Sequence, residues 1–249
     1  MSSNVDVEIS EAVMTITLNR PEKLNAMTPE MNTALFSAFE AARSDDAVHA
    51  IRLRGSGRAF CAGADRGQAA AGRSARRNAP ADMVQNRARV QGLLDLWASP
   101  KPVVAQVHGY CLGVATELVA CADLVICARS ARIGMPETRD IALPPTLAFW
   151  PATIGVALTK DLLFTGRLLD GNEAVAAGLA TRIVEDDDLD TTGFELARHV
   201  AEVPIHRLAV IKQAVNAWVE DSWMPAALRG AEYHALYHQA SETISHRAE

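Results

Sequence analysis

The chain has 249 residues, 49% of them hydrophobic and 22% charged, which is enough apolar material for one large core and too little polarity for a disordered protein. A formal net charge of −6 and a sequence pI of 5.7 argue against a generalised nucleic-acid or anionic-membrane surface, and leave a small molecule as the expected partner. No segment reaches the ~18 uninterrupted apolar residues of a membrane span, and Met1 to Ser10 has neither a basic start nor an apolar run, so a cytoplasmic protein is expected.

In chain order, Val5, Val7 and Ile9, then Val13 to Leu18, alternate with period two and predict a hairpin closed by Asn19, Arg20 and Pro21. Thr28 is an N-cap with Pro29 and Glu30 behind it, so a helix should run to about Arg43, ended by Ser44, Asp45 and Asp46. Ile51 to Leu53 is an apolar stretch, followed by a Gly-punctuated loop from Gly55 to Asp65 and a segment without clear period from Arg66 to Pro80. A helix is expected from Ala81 to Ala98, then a buried strand at Val103 to Val107, a Gly-bounded turn from Gly109 to Gly113, and a helix from Val114.

Further strands are expected at Leu124 to Cys127, around Ile133 and at Thr181 to Val184, with helices at Thr159 to Thr165 and Glu173 to Ala177. Alternation of this kind implies an α/β layered fold with largely parallel pairing. From Leu189 onward only helices are expected: Thr192 to Val203, His206 to Val219 and Ala226 to about Ser241. The division is a core over residues 1–188 and a helical lid or oligomerisation region over 189–249.

Cys61, Cys111, Cys121 and Cys127 lack Cys-x-x-Cys spacing and sit among apolar or small residues, the pattern of buried thiols in a reducing compartment. His108 has no second ligand nearby, so no metal site is expected. No dinucleotide fingerprint, phosphate loop or Gly-x-Ser-x-Gly elbow is present.

Two loops, Gly55 to Asp65 and Gly109 to Glu117, fall where an open α/β fold places ligands. Their small residues suit either tight turns or backbone N–H groups aimed at a ligand, and the loops alone do not choose between these. Glu117, within Gly113-Val-Ala-Thr-Glu-Leu-Val, and Glu137, within Ile133-Gly-Met-Pro-Glu, stand among apolar neighbours with no evident basic partner. Such surroundings disfavour a carboxylate's charge and suit general acid/base work, whereas a lone Glu is more often a solvated or first-turn helix residue.

The motifs Leu18-Asn-Arg-Pro-Glu-Lys-Leu-Asn-Ala, Arg58-Ala-Phe-Cys-Ala-Gly-Ala-Asp, Lys101-Pro-Val-Val-Ala-Gln-Val-His-Gly, Gly113 to Glu117, Cys121-Ala-Asp, Gly134-Met-Pro-Glu, Leu163-Phe-Thr-Gly-Arg and Ala177-Gly-Leu occur in the order found in the enoyl-CoA hydratase/isomerase, or crotonase, family, which the chain resembles. The resemblance implies a crotonase-like spiral of ββα turns with a C-terminal helical region, assembled as a homotrimer or a dimer of trimers. It implies an acyl-CoA thioester as substrate, with coenzyme A arriving as part of it and no separate cofactor. By position, the N–H groups of Ala64 and Val114 would hold the thioester oxygen, and Glu117 and Glu137 would be the acid/base pair. Lys23, Ala62, Asp65, Arg66 and Gly113 would contact the substrate or its CoA, with Arg73, Arg76 and Arg77 as further phosphate candidates.

The chain departs from the family pattern where Val114 and Ala115 replace the frequent Gly-Gly, and where Pro145, which has no N–H, lies near a position that often holds the attacking water. The 144–155 segment is also shorter than usual, and Thr146 is the alternative group for that water. Hydration of a 2-enoyl-CoA is the expected reaction. The alternatives are a double-bond isomerase of the same family, using Glu137 alone, and a non-catalytic acyl-CoA-binding protein.

Overall fold

The computed structural model describes residues 4–65, 67, 79–139, 149–217 and 219–220. Strands β1 (Val5–Ser10) and β2 (Val13–Leu18) form the expected antiparallel hairpin. A 3-10 turn, Pro21–Lys23, leads into helix α1 (Pro29–Ser44), whose N-cap Thr28 accepts a hydrogen bond from the Met31 amide at 3.2 Å. Next come β3 (Ala50–Gly55), α2 (Ala79–Trp97), β4 (Val103–Val107), β5 (Tyr110–Leu112), α3 (Val114–Ala120), β6 (Leu124–Ala128) and β7 (Arg132–Gly134). A second 3-10 turn at Pro136–Arg139 precedes α4 (Phe149–Ile154), α5 (Val156–Thr165), β8 (Leu169–Asp170), α6 (Gly171–Ala176), β9 (Arg182–Val184) and α7 (Leu189–Ala201). Residues 205–217 form a further helix, α8.

Two sheets result. The larger has the order β1-β2-β3-β4-β6-β9, parallel from β2 onward, and the smaller has the order β5-β7-β8. The chain repeatedly lays one strand in the large sheet, the next in the small sheet, and then a helix: β4, β5, α3, then β6, β7, α4 and α5. The expected turn at 109–113 is therefore corrected, because Tyr110–Leu112 is a strand paired in parallel with Arg132–Gly134. Glycine is required at its entrance: Gly109 has φ +50°, and a Cβ there would collide with the Arg58 carbonyl.

Every residue of β4 is buried, as befits a central strand covered on both faces. One face carries the main core, in which Ile16, Leu53, Val107 and Leu118 pack with Met31, Leu35, Phe60 and Trp150. On the other face Val13, Ala50, Val104 and Ile126 pack against Leu189, Leu196, Ala197 and Ala201 of α7. Gln106 Nε2 donates to the Leu189 carbonyl at 2.6 Å, so the first helix after residue 188 is a cover for the sheet. The expected helix at 226–241 lies outside the described residues. Among the described residues no helix is long and apolar enough to cross a membrane.

Candidate active site

The two small-residue loops meet. The first is pinned by backbone hydrogen bonds from Phe60 N to His108 O (2.8 Å), Cys61 N to Tyr110 O (2.9 Å) and Leu112 N to Cys61 O (3.0 Å). It then runs parallel to Met27, whose amide donates to Gly63 O at 2.8 Å and whose carbonyl accepts from Asp65 N at 2.9 Å. In that pairing the peptide groups of Gly63 and Asp65 are consumed, and the amide of Ala64 between them is directed away from Met27. Gly63 has φ +92°, and a Cβ there would stand 3.0 Å from the Leu112 carbonyl oxygen, so the two backbones touch.

The second loop ends at Gly113, the N-cap of α3, with φ +55° and ψ −121° and no side chain to cap the helix. Its amide donates to Gly134 O at 3.0 Å, while the next amide, that of Val114, begins the helix. Among the described residues the amides of Ala64 and Val114 have no backbone acceptor outside regular structure. The first amides of a helix lack intrahelical partners for geometric reasons, so Val114 N–H is a donor available to a ligand.

Gly113 caps the helix that bears Glu117, and the Glu137 carboxylate packs against that same glycine. Glu117 is the fourth residue of α3 and only 1% exposed, with Ala115, Leu118 and Val119 buried around it. Glu137 lies in the 3-10 turn after β7, half-buried, and its carboxylate packs on Gly113 so closely that a Cβ there would collide with Oε1. The turn is held by Thr138, whose hydroxyl donates to Met135 O and to Leu163 O, both at 2.8 Å.

The apolar flanks suggested that Glu117 has no basic partner, and this is corrected. Arg89 Nη2, on α2, donates to Glu117 Oε2 in an ion pair. No local motif announces Arg89. The signal in the sequence was its place in the stripe Asn86, Arg89, Val90, Leu93 and Leu96 that α2 turns toward the core, a stripe where a charge needs a partner.

Of the other residues singled out, Ala62 is half-buried and its amide donates to Leu24 O at 2.9 Å. Asp65 is ion-paired with Arg20 at 2.6 Å and its Oδ1 accepts from the Gly67 amide at 2.9 Å, so it braces the loop. Lys23 is exposed in the first 3-10 turn. His108 bonds the Gly57 carbonyl through Nε2 at 2.9 Å, which is a structural contact. Arg66, Arg73, Arg76, Arg77, Pro145 and Thr146 lie outside the described residues. Among the described residues no group of three or more His, Cys, Asp or Glu could hold a metal ion.

The sequence profile of the enoyl-CoA hydratase/isomerase family matches residues 8–246. The chain is 35% identical over 214 residues to the 1,2-epoxyphenylacetyl-CoA isomerase of Escherichia coli, covering 84% of this chain and 80% of that protein. It is 33% identical over 243 residues to a probable enoyl-CoA hydratase of Mycobacterium bovis, covering 95% and 89%. The crystal structure of a probable enoyl-CoA hydratase from Mycobacterium thermoresistibile superposes with a TM-score of 0.89 at 30% identity, over 96% of this chain and 98% of that one.

Proposed function

The chain belongs to the enoyl-CoA hydratase/isomerase family, and within it we propose that the protein is an enoyl-CoA hydratase, adding water syn across the 2,3 double bond of an acyl-CoA thioester. The observation that carries this reading is the packing of the Glu137 carboxylate on Gly113, the N-cap of the helix that bears the buried Glu117, in backbone contact with the loop that carries Ala64. In this reading the amides of Ala64 and Val114 receive the thioester oxygen as it gains enolate charge. Glu117 takes a proton from water as the water oxygen bonds to the β-carbon, and Glu137 gives its proton to the α-carbon. One C–O and one C–H bond form with no net redox change, so the chemistry calls for no cofactor beyond the CoA of the substrate.

A second reading, a double-bond isomerase, is left open by the family itself, which is described as hydratase/isomerase. Moving a double bond needs one acid/base group, and Glu137 would serve alone. Glu117→Gln and Glu137→Gln, assayed on 2-enoyl- and 3-enoyl-CoA thioesters, separate the readings. For the hydratase each variant loses about 10² to 10⁴ in hydration while binding survives. Full turnover of 3-enoyl-CoA by Glu117→Gln, with Glu137→Gln inactive, establishes the isomerase instead. Binding without turnover of either substrate class by the native protein overturns both.

A further inference from the structure

Thr116 is the third residue of α3 and only 1% exposed. Its hydroxyl donates to the Gly113 carbonyl at 2.6 Å, and its own amide donates to the same oxygen at 2.9 Å. That carbonyl belongs to the planar peptide unit whose other end is the Val114 N–H, so whatever holds the one orients the other. Gly113 needs the restraint: with φ +55°, ψ −121° and no Cβ, it permits rotations of the peptide plane that a residue with a side chain would resist. On its amino side the backbone is fixed by the Gly113 amide, which donates to Gly134 O at 3.0 Å. On its carboxyl side Thr116 supplies the tie.

We propose that Thr116 is a positioning residue for the Val114 N–H: by donating to the Gly113 carbonyl, its hydroxyl fixes the plane of the 113–114 peptide and polarises it, so that the N–H at the other end is a stronger donor to a thioester oxygen. The proposal rests on the reading in which that N–H receives the oxygen as it gains enolate charge. A hydrogen bond accepted by an amide carbonyl draws charge through the planar unit and strengthens donation from its N–H by about 10–30%. One oxyanion donor is worth about 10² to 10³ in turnover, and that fraction of its effect corresponds to about 2- to 8-fold. A buried threonine hydroxyl bonded three residues back is also a common way of satisfying the hydroxyl itself. Such a contact alone would alter stability and leave a bound thioester oxygen unaffected, which is the difference the experiment reads.

Thr116→Val keeps the shape of the side chain and removes the hydroxyl, whereas Thr116→Ser keeps the hydroxyl. Each is compared with the native protein by difference infrared spectra of bound butyryl-CoA carrying 13C at its thioester carbonyl, and by kcat and KM on a 2-enoyl-CoA. In the native protein the bound carbonyl should absorb at lower frequency than in water, because strong donors to its oxygen weaken the C=O bond. Thr116→Val should move that band back up and lower kcat about 2- to 8-fold with KM little changed, and Thr116→Ser should restore both. Thr116→Ala supplies the same comparison should Thr116→Val not fold. A band at the native frequency in the folded variant without the hydroxyl overturns the proposal, whatever its unfolding temperature. A native protein that hydrates no enoyl-CoA but lowers the carbonyl frequency loses the hydratase reading alone, and the variants still decide the role of Thr116. No lowering in the native protein overturns the oxyanion hole and this proposal with it.

Discussion

Glu137 and Gly113 are in direct contact: a Cβ on Gly113 would collide with the Glu137 Oε1 and stand 3.0 Å from its carboxyl carbon. The backbone at Gly113, φ +55° and ψ −121°, is also one that residues with a side chain rarely adopt. Gly113→Ala should therefore push the Glu137 carboxylate away and cost about 1–3 kcal/mol in backbone strain. A displacement near 1 Å is enough to lower turnover by about 10²-fold. Steady-state kinetics with urea unfolding checks this, and turnover within a few-fold of the native enzyme would place Glu137 outside the reacting geometry.

The Ala64 loop depends on an ion pair that reaches across 45 residues of sequence, from Arg20 Nη1 to Asp65 Oδ2 at 2.6 Å, with side-chain exposures of 16% and 15%. Arg20 also donates to the Ala26 carbonyl at 3.1 Å, tying the first 3-10 turn to the same loop. Arg20→Met should cost about 2 kcal/mol, the scale of a hydrogen bond to a charged group. The expected coupling in the Arg20→Met, Asp65→Asn double-mutant cycle is favourable and at least 0.5 kcal/mol. Additive urea midpoints would show that the pair braces nothing.

Asn25 gives a sharper contrast. Fully buried with φ +55°, it directs Nδ2 at the carbonyls of Ser56 and Ala59 (2.8 Å each) and Phe60 (3.2 Å), while Oδ1 accepts from Arg20 N at 2.8 Å. Asn25→Ala leaves those carbonyls without the donor and should cost about 2 kcal/mol. Asn25→Asp keeps the shape but faces an anion with carbonyl oxygens, so it should be the less stable of the two in thermal unfolding. Equal stabilities would mean that the amide's donation is not what holds the 56–60 turn.

The large sheet is legible because its strands are five or six residues long in β1 to β4 and β6, so their apolar patterns are complete. In the small sheet β7 is expected around Ile133, but β5 and β8 are not, because they have only three and two residues and no period shows in so short a run. The glycines around Tyr110–Leu112 mark a turn in sequence, but pairing with Arg132–Gly134 makes it a strand. Helix α4, Phe149–Ile154, was hidden for a similar reason, six residues with a proline inside. The place of Glu117 in the helix that follows Gly113 could be anticipated from the Gly113 to Glu117 motif, whereas the Arg89 contact joins α2 to α3 across 28 residues and has no local signature.

The cysteines bear on stability at high pH. All four are buried and unpaired in disulfides, and burial pushes the thiols of Cys61 and Cys127 up to about 12 and those of Cys111 and Cys121 well above their ordinary value of 9.0. Thiol reagents should therefore label none of them at pH 8 until the chain unfolds. For a thiol whose folded value is raised, the unfolded chain loses its proton first, so between pH 9 and 12 the unfolded state binds fewer protons and stability falls as pH rises. Each such cysteine should remove about 1 kcal/mol by pH 10. Tyrosine and lysine ionisation acts in the same range, so the measurement is a difference: the loss of urea midpoint between pH 8 and pH 10 should be smaller in Cys127→Ala than in the native protein. An equal loss in both would show that the Cys127 thiol ionises as readily in the folded chain as in the unfolded one.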